Sequence, residues 1–131
     1  MDKVEIKILV TQDPLTPHGR VPEGCGAVVE FSGIVRGEEE GRAISALEYQ
    51  TYQPMAEREI MRLVHELLVQ FPCDSVRVGH RVGVIPVGES AIIMQVASRH
   101  RAAAFLFSTA FMDRLKQEVP IWKIKPIPPA A

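Results

Sequence analysis

Residues 98–125 read SRHRAAAFLFSTAFMDRLKQEVPIWKIK, a stretch that sets where the last helix lies and where positive charge gathers. Ser98 is placed to cap that helix, its hydroxyl accepting an N–H of the first turn, and Pro120 marks the point by which an uninterrupted helix has ended. About five turns fit between them at 3.6 residues per turn. On such a helix Arg101, Phe105, Ser108, Met112 and Lys116 recur three or four residues apart and form one stripe, with a cation at each end. Ala104, Leu106, Phe107, Phe111 and Leu115 take up much of the remaining surface, which predicts a helix largely buried by its neighbours. Beside a pocket, His100, Arg101 and Lys116 could hold an anion. Lys116 is also favoured near a helix C-terminus through the dipole alone, by about 0.3–1 kcal/mol. Residues 120–123, Pro-Ile-Trp-Lys, read as an extended return that carries a second lysine back towards the first.

Working outward, residues 90–97, SAIIMQVA, form an apolar strand leading into this helix. Residues 75–83 alternate, with Val76, Val78 and His80 on one side and Arg77, Gly79 and Arg81 on the other, so His80 is read as a half-buried structural histidine. Pro86 and Gly88 supply a turn. Residues 54–71 are the other main helix, with a proline in the first turn and Ile60, Leu63, Val64, Leu67, Leu68 and Phe71 at helical spacing. Arg58 and Arg62 belong to its wet face, paired locally. Three strands precede it, at residues 4–10, 26–35 and 44–51, the second bent at Gly33 and ending at Arg36. The Pro- and Gly-containing segment 11–24 reads as loop, with room for a short helix, and the run Glu38, Glu39, Glu40 as a solvated loop. The order β, β, β, α, β, β, α predicts an α+β domain with a mixed or antiparallel sheet and two main helices.

At 131 residues the chain is expected to form a single domain over 1–131 with a sizeable core. A formal net charge of −1 argues against general nucleic-acid binding. Bases nevertheless prevail from Arg99 to Lys125. Cys25 and Cys73 stand outside any CxxC pattern, and His18, His65, His80 and His100 lack ligand spacing, so neither a disulfide framework nor a metal site is expected. With no signal peptide and no long apolar run, the expected compartment is the cytoplasm, without membrane association.

Several of these segments together resemble the large, catalytic subunit of molybdopterin synthase: GAVVEFSGIVR at 26–36, ALEYQTYQPMAE at 46–57, HRVGVIPVGE at 80–89, SRHRAAAF at 98–105 and FMDRLKQEVPIWK at 111–123. The spacing of SxHR, MDxLK and PxWK is the most specific part. The resemblance implies an α/β-hammerhead type of fold and a sulfurtransferase of molybdenum cofactor biosynthesis. Its substrate would be cyclic pyranopterin monophosphate, which receives two sulfurs from the C-terminal thiocarboxylate of a small ubiquitin-like subunit. It further implies a homodimer of this chain with a small subunit at each outer end, making a heterotetramer, and no cofactor, since sulfur arrives on the partner. By the same resemblance Lys116 and Lys123 are the catalytic lysines, Arg36, His100 and Arg101 bind the substrate's anionic groups, and Phe31 and Met112 line the pocket. The sequence departs from the family pattern after Lys125, where 126–131 read PIPPAA in place of a segment with a tryptophan and basic residues that reaches across the dimer.

Two other readings compete. A protein with this fold and anion pocket could serve as a non-catalytic scaffold for a ubiquitin-like sulfur carrier. A general phosphate-ligand or nucleotide-binding domain is disfavoured, because neither GxxxxGK[ST] nor GxGxxG occurs.

Overall fold

The computed structural model describes residues 3–17, 19–52 and 54–130. His18 lies outside the described residues. Among the described residues nine strands and two helices follow one another as β1 (Glu5–Thr11), β2 (Ala27–Ile34), β3 (Glu38–Glu39), β4 (Arg42–Ala43), β5 (Ala46–Thr51), α1 (Met55–Gln70), β6 (Ser75–Arg81), β7 (Gly83–Pro86), β8 (Ser90–Ser98), α2 (Arg101–Glu118) and β9 (Ile121–Ile127). The fold is α+β, as the alternation and helical periods predict.

The larger sheet has the order β1-β6-β8-β2, with β1 parallel to β6 and the other neighbours antiparallel. Both helices pack on one of its faces. Val76 and Val78 of β6 and Ile92, Met94 and Val96 of β8 meet Ile60, Leu63, Val64 and Leu67 of α1 and Ala104, Phe107 and Phe111 of α2 in one core. These positions follow the two-residue period of a strand and the 3.6-residue period of a helix. Pro14, Leu15, Thr16 and Pro17 lie over the opposite face; Leu15 approaches Gly79, where an added Cβ would stand 3.2 Å from Leu15 Cδ2. No helix occurs among the described residues of the segment 12–24.

The smaller sheet, β7-β5-β9, is wholly antiparallel. It exists because the strand expected over 75–83 breaks: at Gly83 φ is +86°, a left-handed value that lets the chain leave the large sheet and start β7 in the small one. The return after Pro120 is longer than its first residues suggested, continuing as strand to Ile127. Pro126 is accommodated because β9 is an edge strand.

Three expectations are corrected. Ser98 does not cap α2: it pairs with Ala27 as the last residue of β8, donates its hydroxyl to the His100 carbonyl, and leaves the cap position to His100, which makes no side-chain cap bond. Leu106 is not buried but 52 % exposed, because α2 buries Ala104, Phe107, Ser108, Phe111 and Leu115 and turns Leu106 away from the sheet. The glutamate run is a hairpin, in which Glu40 (φ 51°) and Gly41 (φ 80°) form the two-residue turn between β3 and β4 that suits the strand twist.

At their C-terminal halves the helices are joined by charge. Arg62 of α1 reaches Glu118 of α2 at 3.1 Å as well as its own neighbours Glu59 and Glu66, and Arg114 of α2 reaches Glu66 at 3.0 Å and Glu118. Hydrogen bonds from Arg114 and then Arg62 hold the Glu118 carboxyl at about 2, below its ordinary 4.5. A carboxyl depressed on folding stabilises the fold above its unfolded value and loses that effect as pH falls through the folded one. Comparing urea midpoints of wild type and E118Q, the wild type is expected to lose more stability between pH 4.5 and about 2, with a constant gap between the two proteins at higher pH.

Candidate active site

Where the two sheets and α2 meet, a cavity of about 370 Å³ opens, within the range usual for small-molecule sites. Phe31, Gly33 and Ile34 come from β2, Tyr49 from β5, His80 from β6, Ile92 from β8, Met112, Leu115 and Lys116 from α2, and Ile121 and Lys123 from β9. Most of the wall is apolar, and the charged groups in it are the two lysines.

Each lysine is set there by a different regularity. Lys116 lies one turn beyond Met112 on α2, on the flank of the helix beside its buried Phe111 and Leu115. Lys123 faces Tyr49 in the β9–β5 register, which shifts between Glu48 and Tyr49. Its ammonium stands 3.4 Å from both carboxylate oxygens of Glu39, presented by the β3–β4 hairpin. Glu39 also acts on Tyr49: burial first, and the Glu39 charge second, raise the phenol above its ordinary value, so it remains protonated and able to donate.

At the inner end His80 exposes 7 % of its surface, with its Nδ1 2.9 Å from the Arg81 carbonyl oxygen and its ring edge-on to Tyr49 at 5.8 Å. Desolvation lowers its affinity for a second proton, against a smaller opposing effect of the Arg81 carbonyl. The ring is therefore neutral.

Of the residues singled out from sequence, the cavity brings together Phe31, Met112, Lys116 and Lys123. Arg36 lies outside it, exposed beside Gly37, Glu38 and Glu40 just past β2. His100 and Arg101 are exposed at the start of α2, and Arg101 is fifteen residues from Lys116, about 22 Å at 1.5 Å per residue. Within one chain these two do not share the lysine cavity. Sequence reasoning passed over Tyr49, Gly33, Glu39 and the depth of His80. The signal for His80 was present, since the alternation that buries Val76 and Val78 puts it on their side of β6.

A match to the family model described as MoaE protein spans residues 9–118, most of the chain. This chain belongs to the MoaE protein family. It is 41 % identical over 99 residues to the molybdopterin synthase catalytic subunit of Homo sapiens, with 76 % of this chain and 53 % of that protein covered. The chain thus spans about half the length of that relative. A molybdopterin synthase structure from Staphylococcus aureus superimposes with a TM-score of 0.82 at 32 % identity, covering 100 % of this chain and 95 % of that one. A solved complex of subunits 1 and 2 of the molybdopterin-converting factor from Helicobacter pylori shares the fold, with a TM-score of 0.69 at 20 % identity over 93 % of this chain and 88 % of that one.

Gly33 lies in the wall of this MoaE-family cavity with no room for a side chain. A Cβ there would lie 2.8 Å from Ile92 Cγ2, and Ile92 is a buried β-branched side chain with little rotamer freedom to yield. Gly33→Ala is expected to cost about 1–3 kcal/mol of overpacking, read as a lower urea midpoint with an unchanged slope.

Proposed function

We propose that this chain is the catalytic subunit of a molybdopterin synthase, converting cyclic pyranopterin monophosphate to molybdopterin with sulfur from the C-terminal thiocarboxylate of a small ubiquitin-like subunit. The observation that carries the reading is the approach of Lys116 and Lys123, from a helix and from the strand after it, to one largely apolar cavity in a MoaE-family chain. The phosphate of the pterin and the thiocarboxylate of the donor repel each other, and fixed cations between them offset that repulsion. Ion-assisted hydrogen bonds of this kind contribute about 1.5–3 kcal/mol each.

In this reading Lys116 acts at the acyl carbon or transferred sulfur, stabilising oxyanion charge as it develops, and Lys123 assists as acid/base or anion holder. Phe31 and Met112 pack against the pterin. No cofactor takes part, because sulfur arrives on the partner, and the chain works in the cytoplasm, where Cys25 and Cys73 stay reduced. The subunit complex from Helicobacter pylori, which shares the fold, supports a small-subunit partner.

Arg36, His100 and Arg101 bind the substrate's anionic groups in this reading, and their positions favour the homodimer, and with it the heterotetramer. A pair about 22 Å along α2 from Lys116 can serve a lysine cavity only if a second copy presents it. A scaffold that binds the sulfur carrier without turnover is the second reading.

Lys116→Ala is expected to abolish dithiolene formation while the protein remains folded and partner-bound; near-normal turnover would remove Lys116 from its role, and a wild type that binds both reactants without product would favour the scaffold. Random mixing of K116A and R101A chains, each inactive alone, should restore about a quarter of wild-type activity if the cavity is shared between copies in a two-fold dimer, and none if it is not.

A further inference from the structure

His80 is the one described imidazole built into the cavity, and the reaction outlined above makes no use of it. A carbonyl oxygen only accepts, so the 2.9 Å contact with Arg81 fixes the proton on Nδ1 and leaves Nε2 as an acceptor. Among the described residues no group donates to Nε2. The edge-on Tyr49 ring and the Arg81 carbonyl hold the imidazole in one orientation.

The polar groups are sorted by depth. Lys123 has a side chain 52 % exposed, near the mouth, whereas His80 at 7 % lies at the inner end. A neutral acceptor repels phosphate and carboxylate and attracts N–H, so it can read only the uncharged edge of a ligand whose anionic end stays outward.

We propose that His80 Nε2 accepts a hydrogen bond from an N–H of the bound pterin ring, making His80 a binding residue that fixes which end of the substrate enters first. The inference rests on the reading that this cavity takes the pterin monophosphate. It adds an orientation: heterocycle inward on His80, anionic end outward towards the mouth.

The test uses the full chain with its thiocarboxylated partner and cyclic pyranopterin monophosphate. His80→Phe removes the acceptor and should raise KM for the pterin about 10-fold, the effect of one hydrogen bond to a polar ligand, with little change in kcat or partner affinity. His80→Gln, whose amide oxygen still accepts, should recover most of that loss. An unchanged KM in His80→Phe, or a fall in kcat alone, would overturn the assignment. Should the phenylalanine variant fail to fold, 15N-histidine spectra of the wild type decide: pterin should move the Nε2 resonance while Nδ1 keeps its proton. If Nε2 stays in place while wild-type turnover proceeds, this inference falls and the sulfur-transfer reading stands; if Nε2 moves in a wild type that forms no product, the reverse holds.

Discussion

The antiparallel pairing of β9 on β5 is the constraint from which the cavity follows. Pro120 ends any helical continuation of α2, and the chain reverses with Thr51 Oγ1 donating to the Pro120 carbonyl at 2.8 Å. Pairing then sets Trp122 opposite Gln50 and Lys123 opposite Tyr49. A slip of one residue would send Lys123 to the other face of the sheet. Register, as much as residue identity, therefore puts the second cation on the same cavity as the first, while buried Phe107 and Phe111, stacked at 6.1 Å, anchor the helix that carries Lys116.

The basic character of the last third of the chain divides into two unlike parts. Arg114 is held by Glu66 and Glu118 in the ionic junction between the helices, two residues before a lysine that faces the cavity. Positions 114 and 116 lie about 200° apart around a helix, so one sequence neighbourhood supplies a structural cation to one side and a cavity-facing one to the other. Arg81 is another structural cation, 8 % exposed and tied to Glu89 at 2.6 Å and to the Gln12 carbonyl. The net charge of the segment conceals this division.

Periodicity made most of the architecture legible: both helices, the strands and the α+β class follow from where apolar residues recur. It could not show where a strand changes sheets, because that depends on a left-handed turn at Gly83 within an otherwise continuous alternation. The β3–β4 hairpin was masked by its acidic composition, although Gly41 after Glu40 was a turn signal. For the site, a stripe containing Arg101 and Lys116 identifies a common side of α2 and says nothing about separation. An 18-residue helix is about 27 Å long, so residues on one side can serve different neighbourhoods. His80 was placed on the correct side of β6, yet its depth depends on α2 and the small sheet closing over it, a property of tertiary packing.

Because Glu39 sits against Lys123, that ammonium already has a counter-ion before any reactant arrives. An anion that takes up Lys123 replaces one carboxylate by another negative group, so its arrival is an exchange of counter-ions and alters local charge balance less than filling a bare cationic hole would. With Lys123 52 % exposed, the resident pair is worth at most about 1 kcal/mol, weak enough to yield to a doubly charged competitor.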